Sequence, residues 1–338
     1  LNGTFFEPAF SHVYVEERAA DLPQTKRILQ KLPDAHVIMI RHYKDVFNFS
    51  GQDARIQSRS LSLILADEPD PRVYRGAPVC QDFGNKAFYY TSTVMNCVYD
   101  CEYCYLKGMY PSANLVVFTD QSRTFAEVDR LLALYPVYLC ISYDTDLAAI
   151  EPLTGFLQEW YAFAAERPDL TLEIRTKCAN KGLLSTLPAL SNAIWAFTLS
   201  PDAVADRYEK KAPGLSMRIA AARLAVSRGI PVRLCFDPML RFPGWEEEYR
   251  KLAQTVREAF KPGQIRDISI GSFRIGAQYL GQLRARHPDS ALAQYPYKVC
   301  GGVAGYGEKS REMTAYMTGL LDGWIGRGKM FLWEEQEA

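Results

Sequence analysis

Cys97, Cys101 and Cys104 fall within one run of eight residues, Cys97-Val98-Tyr99-Asp100-Cys101-Glu102-Tyr103-Cys104, a C-x3-C-x2-C spacing followed at once by Tyr105. Three is an odd number, and cysteines this close would strain a disulfide loop. Three thiolates on a short loop can instead hold three corners of a cubic iron–sulfur cluster. The fourth iron then lacks a protein ligand and is open to a small molecule. Structural zinc would ask for a fourth Cys or His; the nearest histidine in sequence is the distant His42, and only Cys80 is placed to fill in. Three core cysteines would not need so regular a spacing. The motif therefore points to one 4Fe-4S cluster on Cys97, Cys101 and Cys104. Of the eight cysteines, those outside the triad are scattered, several in or beside apolar runs, with no second cluster near the C-terminus. That usage suits a reducing cytoplasm and a single iron–sulfur centre.

The 338 residues can form one large domain or two modest ones, and 48% hydrophobic content allows a sizeable core. Lys+Arg and Asp+Glu balance at 39 each, so no global charge draws the chain to nucleic acid or anionic lipid, although a local basic groove is still allowed. No apolar run reaches the roughly eighteen residues a membrane span needs. The opening Leu1-Asn2-Gly3-Thr4-Phe5 has no basic start before an apolar stretch, so no signal peptide is expected.

Residues 1–78 read as a small α/β unit and linker. His12–Val15, His36–Ile40 and Leu61–Leu65 have strand character, Thr25–Leu32 helical character, and Asp67–Pro78 holds Pro69, Pro71 and Pro78. From about 88 to 273 strands and helices alternate. The strands are Phe88–Thr93, Val137–Ser142, Leu170–Arg175, Ala193–Leu199, Pro231–Phe236 and Ile268–Phe273; the helices include Glu151–Glu166, Ser216–Arg228 and Trp245–Phe260. Such alternation predicts parallel strands with crossover helices. Six strands make a partial (β/α)6 TIM-like barrel over residues 79–275, whose chemistry belongs at the C-terminal strand ends. The cysteine loop follows the first of these strands. Residues 276–338 form a C-terminal segment.

A three-cysteine loop with an open iron resembles that of radical S-adenosylmethionine enzymes, in which the open iron chelates the amino and carboxylate groups of the cofactor and an electron from the cluster releases a deoxyadenosyl radical. Further residues resemble one family within that class, spore photoproduct lyase. They are Cys101-Glu102-Tyr103-Cys104-Tyr105-Leu106, Asp146 to Thr154, Thr176-Lys177, Arg218 to Arg223 and Phe242-Pro243-Gly244-Trp245-Glu246. The resemblance covers roughly residues 12 to 325. It implies a DNA repair enzyme that reverts an ultraviolet lesion, two thymines joined through a methyl group, to thymines. The cofactor radical abstracts a hydrogen, the linkage fragments, and a thiol returns a hydrogen to the thymine radical. It also implies an electron donor such as flavodoxin or ferredoxin, and no membrane.

Carried over residue by residue, Cys97, Cys101 and Cys104 fall on the cluster ligands. Tyr103 and Tyr105 fall on aromatic positions beside the last ligand, where a phenol can relay a hydrogen atom; the alternative is that they only pack the loop. Thr145, Asp146, Lys177 and Thr198 fall on polar positions near strand ends, suited to a zwitterionic cofactor with a ribose; Asp237 is the weakest match. The family's usual thiol donor position is Tyr143 here. Cys80 is the expected substitute, with Cys300 and Cys140 as alternatives. Arg274, Arg284, Arg286, Lys298, Lys309 and Arg311, interleaved with Tyr279, Tyr295, Tyr297 and Tyr306, suit phosphates and an extruded dinucleotide or, equally, a solvated face.

Overall fold

Apolar strand runs separated by amphipathic helices dictate stacked α/β layers, and the computed structural model, which describes residues 10–67, 70–77 and 79–333, arranges the strands in three sheets. Leu1 to Phe5, Pro69 and Pro78 lie outside the described residues. The first sheet is built on β1 (His12–Glu16), β2 (His36–Ile40) and β3 (Leu63–Ala66), all parallel with β1 central. β4 (Val73–Arg75), within the proline-rich segment, pairs antiparallel with β5 (Phe88–Thr91), the first barrel strand. β6 (Val94–Met95) and β7 (Leu115–Phe118) flank the cysteine loop and complete the first sheet in the order β2-β1-β3-β7-β6. The first sheet therefore draws strands from beyond residue 78, and the cysteine loop lies at the seam between two sheets. Strand β7, four buried apolar residues, goes unpredicted because so short an apolar run reads equally as helix or strand.

The helix Ser122–Leu132 returns the chain to β8 (Val137–Cys140), followed by β9 (Leu170–Thr176), β10 (Ala193–Thr198), β11 (Val232–Met239) and β12 (Asp267–Ser272). With β5 these are six parallel strands in sequence order, the expected partial barrel. β10 is buried along its whole length, as a parallel strand covered on both faces must be. β13 (Arg274–Gly276), β14 (Lys298–Cys300) and β15 (Val303–Gly305) form a small antiparallel sheet, and β16 (Met330–Leu332) adds a parallel edge beside β12. The loop before β5 bridges the two edges of the barrel sheet. Gln81 Nε2 donates to Leu332 O at 2.8 Å, and the Phe83 ring lies 5.3 Å from that of Phe331.

The helix expected over Glu151–Glu166 is two helices, Leu147–Thr154 and Phe156–Ala165, broken at Gly155 with φ +70°. That left-handed conformation ends a helix and favours glycine. The Glu151 carboxylate then accepts from the Leu157 and Gln158 N–H groups at 2.7 and 3.2 Å, capping the second helix.

At the N-terminal end of the barrel, Arg233 of β11 fills the interior. Its guanidinium meets Asp267 through Nε and Nη2, and Nη1 reaches Glu173 Oε2 at 2.7 Å and Tyr138 Oη at 2.6 Å. The Phe83 ring covers it at 3.4 Å. Among the described residues no helix is long and apolar enough to cross a membrane.

Candidate active site

The cysteine loop opens on Asn96, whose φ of +69° turns the chain out of β6. Asparagine tolerates that region, and its Nδ2 donates to Ser112 O and Asn114 O at 2.9 and 2.8 Å, closing the loop's base. Past the loop, the helix Leu106–Met109 crosses the helix Ala277–Arg286 closely. A Cβ at Gly108 would lie 2.2 Å from Tyr279 O, so only glycine fits. From below, Tyr103 donates its hydroxyl to Glu209, which is ion-paired with fully buried Arg218 and accepts from Ser200 Oγ at 2.8 Å. Burial alone would raise the Glu209 carboxyl, but Arg218 and Lys177 hold it down at about 2. Tyr103 thus anchors the loop to the following strand and helix.

Cys97, Cys101 and Cys104 line one cavity of about 370 Å³ at the C-terminal strand ends, together with Cys80, Tyr103, Tyr105, Thr145, Asp146, Lys177, Thr198 and Asp237. That volume is in the range of small-molecule sites. Among the described residues no three His, Cys, Asp or Glu side chains could hold a single metal ion. A cubic cluster instead asks for thiolates spread around a space, one to each of three irons. Burial pushes the Cys101 thiol up to about 12, while Lys177 beside it pulls the other way.

Lys177 is half-buried, and among the described residues its ammonium has no hydrogen-bond or ion-pair partner; it lies 5.5 Å from the centroid of the Tyr103 ring. Burial works against its charge, but Cys101 and Glu209 raise its pKa. The Thr145 hydroxyl is buried and also lacks a partner. A free cation and an orphaned hydroxyl beside three thiols fit a ligand carrying a carboxylate and hydroxyl groups. Thr198 ends β10 within the same wall, its carbonyl accepting from Arg218 Nη1 at 3.2 Å. Asp146 and Asp237 are engaged within the protein. Asp146 accepts from Thr176 Oγ1 and the Lys177 N–H, both at 2.7 Å, and caps the helix Leu147–Thr154 through the Ala149 N–H at 3.2 Å. Asp237 takes both Arg274 Nη groups at 2.7 and 3.1 Å; burial pushes its carboxyl up, but Arg274 and Arg175 hold it below the usual range.

Cys80 Sγ lies 2.9 Å from Tyr143 Oη. The Tyr143 ring stacks on Tyr90 with centroids 4.0 Å apart and sits 5.7 Å from Tyr105. Tyr105 donates to Tyr143 O and Asp144 Oδ1, each at 2.9 Å, and Asp144 also accepts from Ser92 and Tyr110 at 2.5 and 2.8 Å. Burial pushes the Cys80 thiol up, with Tyr143 and Arg274 opposing it, so it keeps its hydrogen. Cys140 borders the same cavity but is a buried residue of β8; Cys300 sits in β14, away from the cavity. The roles of Tyr143, Asp144 and Glu209 go unpredicted, since each depends on a partner far off in sequence, and Arg218, though near Glu209 in sequence, meets it only because the fold buries both. The doublet Tyr143-Asp144 directly after a barrel strand is the one local signal.

The basic set is not one surface. Arg274, 8% exposed, holds Asp237 and donates to Val79 O at 2.9 Å. Arg284 donates to Ala293 O and Tyr295 O, and Arg286 to Tyr110 O. Tyr297 and Tyr306 are buried, and Tyr279 lines the cavity. Lys298 and Lys309 are exposed; Lys309 Nζ donates to Tyr295 Oη at 3.0 Å.

The profile of the family described as "Spore photoproduct lyase" matches residues 6–275. A protein of that name from Bacillus subtilis (strain 168) is 23% identical over 273 residues, 76% of each chain. Among solved structures, a spore photoproduct lyase complexed with dinucleoside spore photoproduct superposes with a TM-score of 0.80 at 18% identity, covering 96% of this chain and 99% of that one. A variant described with bound AdoMet and the same dinucleoside gives 0.78 at 18% identity, covering 97% of this chain and 98% of that one.

Proposed function

Because the chain belongs to the spore photoproduct lyase family, we propose that it is a radical S-adenosylmethionine lyase that reverts spore photoproduct, 5-thyminyl-5,6-dihydrothymine, to two thymines in DNA by breaking a carbon–carbon bond. The observation that carries this for the chain's own residues is one cavity that gathers three cysteines, a partnerless Lys177 ammonium, a partnerless Thr145 hydroxyl and a protonated Cys80 thiol. Cys97, Cys101 and Cys104 hold a 4Fe-4S cluster in this reading. Bound there, the cluster and S-adenosylmethionine would supply a deoxyadenosyl radical able to abstract hydrogen from the lesion.

The protein's own groups do the rest. Lys177 meets the carboxylate of the cofactor, and the Thr145 and Thr198 hydroxyls meet its polar groups. Asp146, through Thr176 and the Lys177 N–H, fixes the strand end that carries Lys177. Asp237 holds Arg274 against the opposite wall. Cys80 gives its hydrogen atom to the thymine methyl radical: the S–H bond breaks, a C–H bond forms and a thiyl radical remains. Tyr143, at 2.9 Å, returns a hydrogen atom to that sulfur, and Tyr105, its ring 5.7 Å from that of Tyr143, continues the relay toward the cofactor, while Tyr103 holds the loop on Glu209. A low-potential carrier such as flavodoxin or ferredoxin supplies the electron, and the reducing cytoplasm suits eight cysteines that form no disulfide. In this reading DNA phosphates meet the exposed Lys298 and Lys309.

The test is anaerobic turnover of dinucleoside spore photoproduct with reconstituted protein, S-adenosylmethionine and dithionite. The expected product is the repaired dinucleoside. Cofactor cleavage with the lesion untouched would transfer the same chemistry to another substrate, such as a peptide or modified nucleoside.

A further inference from the structure

The cysteine loop borders two spaces. Cys97, Tyr99, Cys104 and Leu106 line the cavity described above, and the same four residues line an open groove of about 580 Å³. Beyond Ala113 and further residues of the loop and the helix after it, the walls of this groove come from the segment 54–61, from Lys210 and Lys211, and from residues 286–290, none of which borders the cavity. Two of the three cysteines are thus reached from a face that shares no other wall with the cavity of the lesion.

The groove is locally basic in a chain whose formal charge is zero. Six cationic side chains line it, Arg55, Arg59, Lys107, Lys210, Lys211 and Arg286, against three carboxylates. Two of the carboxylates are already engaged: Asp100 with Lys107, and Glu102 with the Ser290 hydroxyl. Of the six cations, Arg55 is paired with Asp53 and Lys107 with Asp100, and Lys211 and Arg286 donate to Ser58 O and Tyr110 O, while the side chains of Arg59 and Lys210 are exposed and form no hydrogen bond or ion pair among the described residues. Cations without partners around an exposed approach to two cluster ligands are complementary to an acidic surface. A nucleic acid would also be attracted, but its lesion must reach Cys80 and Tyr143, which this groove does not touch.

We propose that this groove docks an acidic, low-potential one-electron carrier protein. One electron leaves the carrier's prosthetic group and crosses the outer face of the loop to the cluster; the carrier is oxidised by one electron and the cluster reduced by one. This rests on the cluster reading above.

The test is the double charge reversal Arg59→Glu/Lys210→Glu in the full-length holoprotein. The probe is a flavodoxin, with its affinity measured by titration and the rate of cluster reduction by the reduced carrier followed spectroscopically. Affinity for flavodoxin and the reduction rate should fall at least about tenfold at low salt, and the difference should shrink as salt is raised. Turnover driven by dithionite, which needs no docking site, and affinity for lesion-bearing DNA should stay at wild-type values. Unchanged flavodoxin affinity would overturn the proposal, as would a variant that loses DNA affinity alone, which would make the groove a nucleic-acid face. Failure of dithionite-driven repair in the wild-type protein would count against the enzymatic reading and leave the flavodoxin titration to decide the groove by itself.

Discussion

The two ends of the barrel handle charge in opposite ways. At the N-terminal end, Arg233 directs its guanidinium at Asp267, Glu173 and Tyr138 and is covered by Phe83, so each charge meets its complement inside the protein. At the C-terminal end, the Lys177 ammonium and the Thr145 hydroxyl line a cavity with no partner. Burying polar groups without partners costs free energy, so a partnerless ammonium and a partnerless hydroxyl in one cavity, set against an arginine satisfied on every side at the other end, mark that cavity as the place for a ligand. The distinction also sorts residues within the upper cavity. Asp146, Asp237 and Tyr103 are engaged with the protein and shape the site, whereas Lys177 and Thr145 are left for something else.

The largest effect should come from the loop itself. Replacing any one of Cys97, Cys101 or Cys104 with Ala should abolish turnover and deplete an iron content of about four per chain. Full iron content in all three variants would remove the cluster assignment and with it the meaning of the upper cavity.

The closed end should respond in stability. Arg233→Met removes the cation that Glu173 and Asp267 share, leaving Arg175 at 3.1 Å from the first and Arg266 at 3.4 Å from the second, and its cost should be about 3 kcal/mol by denaturant unfolding at matched iron content. A cost below about 1 kcal/mol would mean that the network is not the sealed structural unit contrasted here with the open cavity.

A narrower effect belongs to Cys80. Cys80→Ala should bind S-adenosylmethionine normally and start turnover, yet give about tenfold less clean thymine product, the rest diverted to adducts with the reductant. Clean repair at the wild-type rate would move the donor role to Cys140, which borders the same cavity, or to an external thiol.

The smallest effect is in pH. Cys80 is raised by burial above an ordinary thiol, and a raised pKa keeps the hydrogen on sulfur as pH rises. The fraction of clean product should therefore stay level from pH 7 to about 9, where an exposed thiol near 8.5 would already be ionised. A decline centred near 8.5 would place an ordinary, solvent-exposed thiol in the donor role.

Much of this was legible in the sequence, for identifiable reasons. The six barrel strands announce themselves as apolar runs spaced by helices, and the three cysteines are local in sequence, so spacing alone groups them. Lys177 stands out because it follows such a strand. Local patterns could not show that Gly155 would divide one periodic stretch into two helices, or that β7 would leave the barrel to join the first sheet. Arg274 illustrates the limit: its sequence neighbours suggest a basic surface, but its partners, Asp237 and the Val79 carbonyl, are brought to it only by the fold. The pairing of Cys80 with Tyr143 spans 63 positions and has no sequence signature.

The claim that partnerless polar groups mark the ligand site is tested most directly by equilibrium titration of S-adenosylmethionine into Lys177→Met and wild-type protein at equal iron content, with unfolding measured on both. A lost charge-assisted contact predicts an affinity about ten- to a hundredfold weaker, with stability changed by less than about 1 kcal/mol. Unchanged affinity, or a loss of stability comparable to that of Arg233→Met, would contradict the account.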